Sequence, residues 1–204
     1  MTSSNDNQEL TADLIKLLNG SSWMVNVLAT VRDSGLPDGC VGGGALRDLV
    51  WGNRFGPGFD PGDLNDVDVA YFDHHDLSRV RDDHATDDLH ERDPDVPWQA
   101  KNQAAIHLWY HHRFGGPPVA PLRDIHDAVA SWPETATCVA VRLLPTDTID
   151  VYAPYGLDDL LGGIWRHNPR RIDAELSRQR LQRLDPTRRW PGVRILPPDR
   201  PISA

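Results

Sequence analysis

Two aspartates spaced two residues apart, Asp66 and Asp68, are the side chains of this sequence best suited to chemistry. They open the segment Asp66-Val67-Asp68-Val69-Ala70-Tyr71-Phe72, whose alternation and β-branched content predict a strand. Side chains alternate along a strand, so both carboxylates share one face while Val67 and Val69 point into the core. Two such carboxylates repel each other unless a cation lies between them. A pair of this kind can bridge divalent ions roughly 3.5–4 Å apart at a two-metal site, with magnesium expected and manganese possible. Taken alone, the same alternation also fits an ordinary exposed acidic strand.

A second feature precedes the first. Gly42-Gly43-Gly44 ends a short apolar strand and begins a helix from Ala45 to Trp51. A helix N-terminus offers unpaired N–H groups and the positive end of the dipole, and glycines let a phosphate approach the backbone. The run lacks the Gly-Lys-Ser/Thr of a P-loop and the spacing of a dinucleotide fingerprint, and a plain tight turn is its other reading. Arg47 in that helix is placed either to pair with phosphate or to brace Asp48. Lys101, Asn102, Gln103 and His107 are candidates for contact with nucleotide or acceptor, or for structural hydrogen bonds.

Other constellations carry less. His107 and His111 share a helix face at a spacing that suits zinc, but the glutamate of His-Glu-x-x-His is missing, and an aromatic-lined helix face is the preferred reading. Asp60, Asp63 and Asn65 lack the glycine and closing glutamate of a calcium loop. No serine or cysteine lies in a nucleophile motif, so covalent catalysis is not expected.

The elements expected around these residues are mostly short. Two helices are predicted over 9–33, a strand before the glycines, an acidic helix after Leu77, and a helix near 102–112. A hairpin follows, with strands Thr137–Leu144 and Thr148–Pro154 about the turn Pro145–Asp147, then a short helix at 156–164. A last helix is predicted from Arg171 to Leu184, an edge strand at 193–196, and a loose tail over 197–204. The expected fold class is α/β, a short mixed sheet flanked by helices with an insertion between Asp68 and the Cys138 strand. It is read as one domain over 1–204, with a helical N-terminus at 9–33, a catalytic sheet at 38–161 and an Arg-rich C-terminal helix at 166–195.

Composition bounds the partners. The net charge is −9, which argues against general affinity for DNA, although arginines crowd the chain after Arg166. That stretch reads as a solvated helix face or as a phosphate-facing arm for nucleotide or RNA. No apolar run approaches a membrane span, and the polar start shows no signal peptide. With Cys40 and Cys138 in apolar stretches, the expectation is a cytoplasmic protein with both thiols reduced and buried.

Taken together, Gly42-Gly43-Gly44-Ala45-Leu46-Arg47-Asp48 followed by Asp66-Val67-Asp68-Val69 resembles the head of the DNA polymerase β-like nucleotidyltransferases. The Gly-Gly-x-x-Arg-Asp form is most similar to the tRNA CCA-adding branch. The segments Trp98–Gln103, Trp132–Thr137 and Ala153–Leu160 also resemble a family of small bacterial nucleotidyltransferase-like proteins of unassigned substrate, over most of residues 20–195. The resemblance implies that Asp66 and Asp68 hold two magnesium ions and that Gly42, Gly43 and Gly44 cradle the triphosphate, with Arg47 and Lys101 contacting nucleotide. It further implies a third carboxylate on a later strand, a place Asp150 fits in Thr148-Ile149-Asp150-Val151-Tyr152. The implied activity is transfer of a nucleoside monophosphate from an NTP to an acceptor hydroxyl, with release of pyrophosphate. The chain departs from the CCA-adding enzymes in its longer stretch between Asp68 and Asp150, and no large helical body for tRNA follows. Two alternatives stay open: a non-catalytic nucleotide-binding regulatory module, and a toxin-like transferase acting on tRNA ends.

Overall fold

A computed structural model gives the fold of residues 4–115 and 118–196. The tail predicted to be loose, 197–204, lies outside the described residues. The two expected N-terminal helices form as α1 (Ser4–Asn19) and α2 (Ser22–Ser34). The Ser21 hydroxyl accepts the Met24 N–H at the start of α2, and Gly35 ends it in the left-handed region at φ +69°. Their apolar stripe of Leu14, Leu18, Met24, Val27, Leu28 and Val31 is buried.

Strand β1 (Cys40–Gly42) runs into α3 (Gly43–Phe55), and β2 (Val67–Tyr71) carries the aspartate motif. Between them Asp60 caps the 3-10 turn Pro61–Asp63 by accepting the Gly62 N–H at 2.9 Å. Then come α4 (Arg79–Arg92), β3 (Trp98–Asn102), α5 (Ile106–Phe114) and α6 (Ile125–Val129). The predicted hairpin forms as β4 (Ala140–Leu143) and β5 (Ile149–Tyr152), followed by α7 (Asp158–Leu161) and β6 (Ile164–Trp165). The chain continues through α8 (Ala174–Leu184), α9 (Pro186–Arg189) and β7 (Arg194–Ile195).

Five strands make one mixed sheet in the order β3-β2-β1-β4-β5, and β6 with β7 form a separate two-stranded ribbon. Only β2 and β3 pair in parallel within the larger sheet, joined by the crossover α4. Val67 and Val69 point inward as the alternation requires, joining Val41, Val141 and residues of α1, α2 and α3 in the main core. The opposite face of the sheet packs Cys40, Ala70 and Ala140 against Ile125 and Val129 of α6. Both cysteines are buried and unpaired, and burial pushes each thiol up to about 12, which keeps it protonated and inert.

Strand β3 departs from the sequence expectation, which placed no strand there. Trp98, Ala100 and Asn102 are buried, alternating with half-buried Gln99 and Lys101. The segment has the period of a strand but none of the β-branched residues that announce one. Its pairing with β2 and its packing under α4 supply what local propensity does not. The stretch read as an insertion therefore contributes the edge strand of the sheet.

Candidate active site

The turn from β1 to α3 is built by three glycines with different reasons to be glycine. A Cβ on Gly42 would lie 2.6 Å from both the Trp132 ring and the Val139 carbonyl oxygen. Gly43 occupies the left-handed region at φ +61°. Gly44 has open space, with the Arg47 Nη2 as nearest neighbour of a Cβ at 3.8 Å. Helix α3 begins without a side-chain cap, so its first N–H groups and the positive end of its dipole are available to a ligand. A Cβ on Gly43 would lie 3.7 Å from Asp68 Oδ2, so the glycine turn and the aspartate strand meet at one point.

Asp68 keeps a solvent-facing surface at that point, yet protein crowds it on its other sides. Burial, and after it the charge of Asp66, pushes its carboxyl up to about 6. Lys101, Arg180 and Arg47 pull in the other direction, which places three cations within electrostatic reach of Asp68. Lys101 stands on the same side of the sheet because Asp68 pairs with Gln99 and Ala70 with Lys101. Its Nζ is 3.8 Å from Asp82 Oδ2.

Arg47 braces Asp48. Its Nε and Nη2 donate to Asp48 Oδ1 at 2.8 and 2.6 Å, and its guanidinium lies 5.9 and 5.3 Å from the Trp51 and Trp190 rings. Arg189 Nη2 donates to the other oxygen of Asp48 at 3.0 Å, so the C-terminal segment is clamped onto α3 beside the glycine turn. Asn102 is a structural hub: its amide donates to the carbonyls of Asp73 and Asp76, and its oxygen accepts from the N–H groups of Asp73 and Ala104. Gln103 donates to the Lys101 carbonyl.

Asp150 does not join Asp66 and Asp68. It lies on β5, three strands from β2 in the sheet order, a separation of about 14 Å at ordinary strand spacing. Its carboxylate accepts from Arg142 Nε at 2.9 Å, and Arg142 Nη1 also reaches Asp38 at 3.5 Å. The alternation of Ile149, Asp150 and Val151 was correctly read, but β1 and β4 intervene, and alternation carries no information about strand order. Among the described residues no three His, Cys, Asp or Glu side chains gather as a metal site.

A family model described as nucleotidyltransferase matches residues 29–195. The chain belongs to this nucleotidyltransferase family. A solved structure described as revealing a CCA-adding enzyme head domain is 27% identical and covers 91% of this nucleotidyltransferase and 95% of its own chain, at a TM-score of 0.75. A CCA-adding enzyme solved with CTP is 15% identical, covers 89% of this chain and 42% of its own, and shares the fold at a TM-score of 0.52. No curated protein matches.

Sequence reasoning passed over one ion pair beside the nucleotidyltransferase motif. Glu134, with no exposed surface, accepts from Arg180 Nε at 2.7 Å and Nη2 at 3.1 Å, and from the Thr137 hydroxyl. Arg180 reaches this carboxylate from α8 and lies in electrostatic range of Asp68 as well. The signal was divided in the sequence, since Glu134 stood in a recognised segment and Arg180 in an undifferentiated basic run.

Proposed function

We propose that this nucleotidyltransferase moves the nucleoside monophosphate of an NTP to an acceptor hydroxyl in a magnesium-dependent reaction that releases pyrophosphate. The observation that carries the reading is the 3.7 Å approach of Asp68 Oδ2 to the Cβ position of Gly43. It supports a reading in which Asp68, with Asp66 two positions before it, and an uncapped helix N-terminus act on one triphosphate.

The donors fit magnesium. Asp66 and Asp68 offer hard oxygen ligands, and magnesium is commonly held by one or two carboxylates, with phosphate oxygens and water completing its shell. When bound, the ion supplies Lewis-acid stabilisation of phosphate charge and acidifies a bound hydroxyl. Asp66 and Asp68 would hold it. The N–H groups of Gly43 and Gly44 face the β- and γ-phosphates, and Lys101 and Arg180 balance charge that grows on the leaving pyrophosphate. The acceptor oxygen bonds to the α-phosphorus as the bridging oxygen departs, and its proton passes to solvent. On the sequence expectation Asp66 and Asp68 hold two ions, one of them shared with Asp150. Without Asp150, any second ion depends on the same two aspartates and the substrate.

Separation of Asp150 from the pair is the one observation that favours a nucleotide-binding module without turnover. The two readings part when the protein is incubated with each labelled NTP, magnesium, and pools of metabolites, protein or RNA. Label transferred by wild type and not by Asp68→Asn supports the transferase. Tight NTP binding with no transfer to any pool supports the module.

A further inference from the structure

A cleft of about 690 Å3 opens between α5, the loop 118–122 and the start of α8. Its walls include Tyr110, Phe114, Leu122, Ile172 and Leu176, and Arg171 stands among them. This size, and a lining that mixes apolar and charged side chains, suit a small amphipathic ligand. The charges of the cleft are nearly all committed. Asp127 is held by Arg123 and Arg170, Asp173 caps α8 by accepting the Leu176 N–H, and Glu175 binds Arg178 and Gln179. Arg171 is different. Among the described residues no carboxylate lies within ion-pair distance of it, and its contact is the Tyr110 ring, 5.1 Å from the guanidinium. It is also largely buried, and that burial holds its pKa below the ordinary arginine value.

The cleft and the aspartates are linked through α8, which lines the cleft with Leu176 and Gln179 and carries Arg180, bonded to Glu134. Tyr110 lies in range of both Arg171 and Arg180, and Arg180 in range of Asp68. We infer that this cleft binds the acceptor of nucleotidyl transfer, a small molecule with an apolar or aromatic body and one phosphate group held by Arg171. This assignment rests on the transferase reading above. A guanidinium meets a phosphate through two parallel N–H bonds, and an otherwise unpaired, desolvated one gains most by doing so. The apolar walls take the body, and the −9 net charge of the chain disfavours large polyanions over a small one.

Phenyl phosphate is a direct probe, titrated calorimetrically into the full chain, with inorganic phosphate in parallel. Wild type should bind phenyl phosphate in the micromolar to low-millimolar range and inorganic phosphate more weakly, because only the former fills the apolar walls. Arg171→Gln should lose at least tenfold in phenyl phosphate affinity. Leu122→Glu, which adds a negative charge to the wall without touching α8, should lose a comparable amount. Both variants should keep the manganese affinity of wild type, which also certifies that they fold. Unchanged phenyl phosphate binding in folded Arg171→Gln, or no binding by wild type, overturns the inference. Equal affinity for phenyl phosphate and inorganic phosphate also counts against it, since the walls then contribute nothing. The two readings fail separately: Arg171-dependent binding with no manganese or NTP bound would sink the transferase reading and leave the cleft standing.

Discussion

At the scale of single residues, the site turns on one carboxyl group that is reluctant to ionise. Asp68 is pushed up to about 6 by burial and by Asp66, so the folded protein keeps its proton to a higher pH than the unfolded chain does. The sign follows directly: its contribution to stability is present below the unfolded pKa near 4 and is lost as pH rises through about 6. A divalent cation reverses the balance by favouring the carboxylate, and below about pH 6 it must displace a proton. Manganese affinity, followed by electron paramagnetic resonance, should therefore fall roughly tenfold per pH unit below pH 6. At pH 7.5, Asp68→Asn should lose at least tenfold, whereas a flat pH profile or an unaffected variant would remove the metal site. Asp150 gives the matching control. Its bond to Arg142 is half-exposed, so Asp150→Asn should cost less than about 1 kcal/mol in denaturant melts and leave manganese and NTP affinity within twofold. A loss of metal affinity there would restore the third ligand that the sheet order separates from the pair.

At the scale of elements, the three glycines separate fold from function, since each meets different surroundings at the head of α3. Gly42→Ala drives a methyl into Trp132 and the Val139 carbonyl at 2.6 Å, and should destabilise the protein by about 1–3 kcal/mol or more. Gly43→Ala forces a Cβ into the left-handed region, at about 1–2 kcal/mol. Gly44→Ala meets open space, so its melting temperature should match or slightly exceed wild type while NTP affinity falls several-fold. If Gly44→Ala binds NTP normally, the turn serves the fold alone. The same elements mark how far the sequence can be read. The strand of Val67 and Val69, the helix after the glycines and the hairpin around Asp147 all announce themselves through local pattern. Strand β3 does not, because Gln99, Ala100 and Lys101 have weak strand preference and are made extended by pairing with β2 and packing under α4. Pairings distant in sequence were equally invisible. Glu134 with Arg180, and Asp48 with Arg189, are separated by 46 and 141 positions, and nothing in local spacing connects them.

At the scale of the whole molecule, the question is whether the C-terminal arginines form an arm for RNA. Between 166 and 195 the sequence holds nine arginines. Five of them, Arg166, Arg170, Arg178, Arg180 and Arg189, pair with Asp159, Asp127, Glu175, Glu134 and Asp48. Arg171 turns into the cleft against Tyr110, which leaves Arg183, Arg188 and Arg194 on the exposed surface. Arg180 with Glu134 and Arg189 with Asp48 fasten α8 and α9 to the segment before β4 and to α3, Arg166 and Arg170 fasten the chain ahead of α8, and Arg178 pairs within α8, so the basic run works chiefly as fastening. Three exposed arginines outside these pairs, on a chain of net charge −9, make a poor footprint for a polyanion. Binding to single-stranded RNA should then show a salt slope no steeper than about −2, at roughly 0.7 per neutralised phosphate, and little retention at about 150 mM salt. Filter binding across a salt series measures the slope. A slope of about −4 or steeper would require the paired arginines to leave their carboxylates for phosphate, and would return a tRNA end to the candidates for acceptor. A shallow slope together with label transfer to the metabolite pool places the acceptor among small molecules.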